Sequence, residues 1–127
     1  MEPILTESTD RFCLFPISSK YAQAFQMYLE QVACFWTVNE VDLGQDITDY
    51  ESLSENERKF ILMVLAFFAN SDGIVNENLA CRFSNEIKIP EIRQFYQFQI
   101  GMESIHGHMY ALMIDTFEKD SLKKNEL

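Results

Sequence analysis

Phe60-Ile61-Leu62-Met63-Val64-Leu65-Ala66-Phe67-Phe68-Ala69-Asn70-Ser71-Asp72-Gly73 is the stretch whose reading decides the fold. Its first ten residues are apolar on nearly every side of a helical wheel, and such a helix is buried within a larger assembly. Its start is marked just upstream. Ser54-Glu55-Asn56-Glu57 has the form of a capping box, with Ser54 as N-cap and Glu57 reaching back from the third helical position. The spacing predicts a helix that continues to about Phe83. Asn85 to Ile89 then make a turn, and Pro90 suits the first position of a following helix that runs to about Glu118.

Working outward, Ser19 to Trp36 reads as a further helix with Tyr21, Phe25, Tyr28, Leu29 and Val32 on its apolar face. Residues 1–18 form an extended leader, in which Arg11-Phe12-Cys13-Leu14-Phe15-Pro16 is suited to pack on a bundle surface. Asn39 to Tyr50 reads as an acidic loop, and Asp120 to Leu127 as a polar tail that frays. With four Gly, three Pro and no alternating pattern, the expectation is an all-α chain of about three helices with little or no strand. It forms a single incomplete domain over 1–127.

The composition is 47% hydrophobic and 13% aromatic, which supplies a packed core and argues against general disorder. A formal net charge of −10 disfavours nucleic-acid or anionic-membrane partners. Cys13, Cys34 and Cys81 are odd in number and widely spaced, so a reduced, cytoplasmic setting is the simpler reading. The N-terminus lacks a positive region followed by an apolar run, so no signal peptide is expected. Phe60 to Ala69 by itself is too short to cross a bilayer.

Two features conflict with a plain apolar core. Asp72 sits in the most buried-looking helix, where an unpaired carboxylate is expensive, and Gly73 adds about 1 kcal/mol of helix penalty. Glu103-Ser104-Ile105-His106 places a carboxylate and an imidazole on one helix face, within reach of one metal, and Tyr110 continues that stripe. The midpoint between Asp72 and Glu103 falls at residue 87 or 88, inside the expected turn. In an antiparallel hairpin both lie about 18 Å from it, at ~1.5 Å per residue. Asp72, Glu103 and His106 therefore converge, with Tyr110 one turn farther along.

Each feature alone has an ordinary reading: Glu-x-x-His pairs are common, a buried Asp is often a paired structural residue, and a Tyr on an apolar stripe is usually core. Their shared height brings the metal reading level with the ordinary one. Carboxylates with imidazole suit iron or manganese. In ferritin-like di-metal bundles two helices each give one carboxylate and two others each give a Glu-x-x-His. This chain supplies one of each type, half of that set.

Asn70-Ser71-Asp72-Gly73-Ile74-Val75-Asn76-Glu77-Asn78-Leu79 closely resembles a signature of the class I ribonucleotide reductase small subunit, of the eukaryotic and large-virus type. So do Arg11-Phe12 with Phe15-Pro16-Ile17, Phe35-Trp36-Thr37, Glu40-Val41-Asp42-Leu43 and Leu65-Ala66-Phe67-Phe68-Ala69. Phe98-Gln99-Ile100, Met102-Glu103, Ile105-His106, Met109-Tyr110 and Ile114-Asp115-Thr116 match as well. The resemblance implies a ferritin-like helical bundle with Asp72, Glu103 and His106 as iron ligands of a di-iron centre, manganese being the alternative. It implies Tyr110 as the tyrosine oxidised to a stable radical, among Phe67, Phe68, Met109 and Met113. It implies Trp36 on a radical-transfer route to the large subunit, which reduces the ribonucleotide. The small subunit is then an oxidoreductase component that forms a homodimer and touches neither nucleic acid nor membrane.

The sequence departs from the family at two places. The second half of the family chain, with the remaining ligands, is absent. Gly107-His108 also stands where the family usually has Ser-Glu, and His108 points away from His106. Three readings follow: part of a normal small subunit, a truncated non-catalytic paralogue that associates with a full-length small subunit, or a hairpin that dimerises so that two half-sites face each other. An isolated chain is expected to oligomerise or aggregate through its exposed apolar surface.

Overall fold

The structure, a computed structural model, describes residues 2–7, 11–125 and 127. The parts of the expected leader at 1 and 8–10 and of the expected tail at 126 lie outside the described residues. The described residues are helical, without strand: α1 (Pro3–Thr6), α2 (Ala22–Ala33), α3 (Gly44–Ser52), α4 (Glu55–Asn78), α5 (Ser84–Glu86), α6 (Pro90–Phe117) and α7 (Ser121–Lys124). A π-turn at Leu79–Phe83 joins α4 to α5. The three expected helices are present as α2, α4 and α6. The chain has more helix than expected, and it divides into two compact units.

The first unit comprises residues up to Phe35 and Val75–Glu103. Phe25, Tyr28 and Phe35 build an aromatic cluster with Phe98 of α6. Tyr28 meets Phe98 edge-on at 5.9 Å between centroids, and Phe35 meets it at 6.2 Å. Ile87 and Ile89 bury the turn before α6, where a hairpin bend requires apolar anchoring. Glu91, at the first turn of α6, is fully buried. It receives both contacts of the Arg11 guanidinium at 2.6 Å and the Ser18 N–H at 2.8 Å. Arg11 also donates to the carbonyls of Leu14 and Pro16. The leader is therefore held by Arg11. Phe15 adds an edge-on contact with Phe25 of α2 at 6.0 Å between centroids, whereas Phe12 is 95% exposed.

The second unit comprises Trp36–Ile74 and Ser104–Leu127. Its core is Val38, Tyr50, Leu62, Ala66 and Met109, with Tyr50 stacked on Phe117 at 4.7 Å. The Ser54–Glu57 capping box forms as read: the Ser54 N–H donates to Glu57 at 2.8 Å and the Glu57 N–H to Ser54 Oγ at 3.3 Å. The expected loop Asn39 to Tyr50 is instead largely α3. Asp42 accepts the Gly44 N–H, and Gln45 and Asp49 bond one turn apart. The tail also folds. Asp120 caps α7, and Lys124 pairs with Asp115. Judged over its whole length, Glu55–Glu86 has the length and composition of a membrane span, with an 18-residue window of mean hydropathy 1.3. Phe60 to Ala69 alone does not.

Candidate metal centre

Asp72 lies three-quarters of the way along α4, and Glu103, His106 and Tyr110 lie along α6. The hairpin turn falls at Ile87–Ile89, where the midpoint arithmetic puts it. Glu103 and His106 are three residues apart on one helix and share a face. Each of Asp72, Glu103 and His106 offers one ligand atom, and these atoms lie within 4.8 Å of one another. All three are half-buried. Gln99, one turn before Glu103, approaches its carboxylate at 3.5 Å. Sequence reasoning passed over Gln99, although the four-residue spacing was available as a signal.

Two aromatic contacts frame the group. The Trp36 ring stacks on the His106 imidazole, with centroids 5.9 Å apart and planes 23° apart. Phe68 stacks on Tyr110 at 5.8 Å and 16°. Met109 is buried. Phe67 departs from the expected pocket, because it turns outward and is 66% exposed. Its sequence neighbour Phe68 takes the place over Tyr110, since adjacent helical residues are about 100° apart. His108 is exposed while His106 is half-buried, so the two imidazoles lie on different sides of α6.

The donor chemistry fits a hard-to-borderline metal ion. Two carboxylates and one imidazole suit iron or manganese and lack the thiolates that would favour a softer ion. Three donors from two helices make half of the six-residue set of a di-metal carboxylate bundle.

A family model described as ribonucleotide reductase, small chain matches residues 11–127. The ribonucleoside-diphosphate reductase small chain of swinepox virus is 54% identical over 127 residues, covering 100% of this chain and 46% of that protein. A putative ribonucleoside-diphosphate reductase small chain of Arabidopsis thaliana is also 54% identical, covering 99% of this chain and 79% of its own length. Among solved structures, the ribonucleotide reductase Rnr4 homodimer from Saccharomyces cerevisiae matches with a TM-score of 0.82 and 38% identity. That match covers 92% of this chain and 37% of the yeast chain. This chain thus spans less than half the length of the viral and yeast proteins.

Proposed function

We propose, since this chain belongs to the ribonucleotide reductase small-chain family, that it carries half of a di-iron site and the oxidisable tyrosine of a radical-generating small subunit. The observation that supports this is the gathering of Asp72, Glu103 and His106 within 4.8 Å, with Tyr110 one helical turn beyond His106. Asp72 and Glu103 bring the negative charge that a ferrous ion needs, and His106 must be neutral at the nitrogen that binds. Asp72, Glu103 and His106 would hold one half of an iron pair, or of manganese in its place, and that pair, with dioxygen as the terminal oxidant, would supply a one-electron oxidant beside Tyr110.

The chain's own residues do the rest. Tyr110 gives up one electron and its phenolic proton. Phe68, lying flat on the Tyr110 ring, keeps water from one of its faces. Trp36, flat on His106, orients the imidazole and is the aromatic through which an electron passes between the site and the large subunit. The large subunit binds the ribonucleotide and reduces its 2′-hydroxyl. The small subunit acts as a homodimer, the state of the yeast Rnr4 structure. Free, exposed Cys13, Cys34 and Cys81 fit a reducing cytoplasm.

The donor count favours a second reading, in which the chain associates with a full-length small subunit and does not itself support the reaction. Ferrous binding by the full chain, titrated without oxygen, separates the two. The first reading expects iron near one per chain, lost in Asp72→Ala and in His106→Ala. Iron bound only when a full-length small subunit is added supports the second. Stoichiometric iron in both variants would rule the triad out as the metal site.

A further inference from the structure

Gln99, Glu103, His106 and Tyr110 follow one another along α6 at spacings of four, three and four. By helical geometry the four lie within about 60° of arc, and all are half-buried. Glu103 and His106 are candidate ligands and Tyr110 is the tyrosine beside them. Gln99 opens the same stripe without being a ligand.

The candidate ligands differ in how far they can swing. Asp72 has a short side chain with two torsions. His106 lies flat against Trp36, with ring centroids 5.9 Å apart. Glu103 has three torsions, so its carboxylate ranges more widely than either. A flexible ligand must be ordered when a cation binds, and that ordering weakens binding. In an α-helix the Cα–Cβ bonds tilt toward the N-terminus, so Glu103 leans back over the turn that carries Gln99. There the Gln99 amide Nε2 donates to Glu103 Oε1 at 3.5 Å. This is a long bond, of the kind that shortens as a site closes on its ligand.

The chemistry of an amide suits this place. Its NH2 end donates to a carboxylate, whereas its oxygen would be repelled. Each carboxylate oxygen has two lone pairs, so Oε1 can accept from Gln99 and keep capacity for a cation. The amide is also uncharged. It leaves the full negative charge of Glu103 to the metal, where a lysine would compete with that metal. Outer partners that orient a ligating side chain set metal affinity in just this way.

We infer that Gln99 is a positioning residue, whose amide N–H fixes the orientation in which the Glu103 carboxylate meets a divalent cation. The inference rests on the reading of Asp72, Glu103 and His106 as a metal site. It adds a fourth residue that acts on the metal only through Glu103.

The test is binding of cobalt(II) to the full chain, followed by visible absorption, with Gln99→Met. Cobalt(II) is stable in air, and the intensity of its bands reports the number and arrangement of its donors. Met has the length of Gln, a similar helix propensity and no N–H to donate. Gln99→Leu repeats the test with a second donor-free side chain, so a folding defect peculiar to one variant does not decide it. Both variants should bind cobalt about tenfold more weakly. Their bands at saturation should differ in intensity from the wild type, and the thermal midpoint of the metal-free chain should not move. Wild-type affinity in both variants overturns the positioning role and leaves the triad standing. A lowered metal-free midpoint with the wild-type spectrum at saturation overturns it as well, and makes Gln99 a packing residue. A wild-type chain that binds no cobalt overturns the metal reading of the triad and this inference with it.

Discussion

Gly107 stands in the middle of α6, next to a candidate ligand, and nothing around it requires a glycine. A methyl group added there meets no atom within 4 Å, and no glycine in the described chain has positive φ. Gly107→Ala should therefore raise stability by about 1 kcal/mol in urea unfolding. A destabilised variant would mean that the backbone at this point moves in a way the static helix does not record. At this scale the sequence was informative where spacing alone decides. Asp72, Glu103, His106 and Tyr110 were placed by helical repeat and hairpin symmetry. Phe67 was misplaced beside Tyr110 because a helix apolar all round offers no pattern that says which Phe faces in.

Among the elements, the join between leader and α6 rests on Arg11 and Glu91. Burial pushes the Glu91 carboxyl up, but the Arg11 guanidinium and the Ser18 N–H outweigh it and hold the group below its ordinary 4.5. A carboxyl lowered by folding contributes fully above its unfolded value. Its contribution is lost as pH falls through the folded value, so this join should loosen only below about pH 4.5. Glu91→Gln should cost about 3 kcal/mol at pH 7, the lower end for a broken buried pair because Arg11 keeps 26% exposure. The variant should also flatten acid unfolding. An unchanged thermal midpoint would show that the leader is held elsewhere. Neither this pair nor α3 was legible in the chain. Arg11 and Glu91 are eighty residues apart, and three aspartates between Asp42 and Asp49 read as loop although Leu43, Ile47 and Tyr50 carry a helical spacing. Ser54 with Glu57 was legible because a cap is local.

At the scale of the molecule, α4 holds the central tension. It has the length and apolarity of a membrane span, with 11% of its most apolar window buried, yet it carries the half-buried Asp72. A helical chain that gathers Asp72, Glu103 and His106 and leaves so much apolar surface open presents a face that another polypeptide surface can cover. The grouping of Asp72, Glu103 and His106 was readable from spacing. What covers α4 was not, because a sequence records an apolar face and never its partner. The central claim is that Asp72, Glu103 and His106 hold iron beside an oxidisable Tyr110. The most direct test is electron paramagnetic resonance on the chain loaded with ferrous iron without oxygen, then exposed to air, alongside iron content and Tyr110→Phe. The predicted result is a tyrosyl signal that disappears in Tyr110→Phe while iron content is kept. Iron bound at the triad with no tyrosyl signal, or a signal that survives Tyr110→Phe, would contradict it.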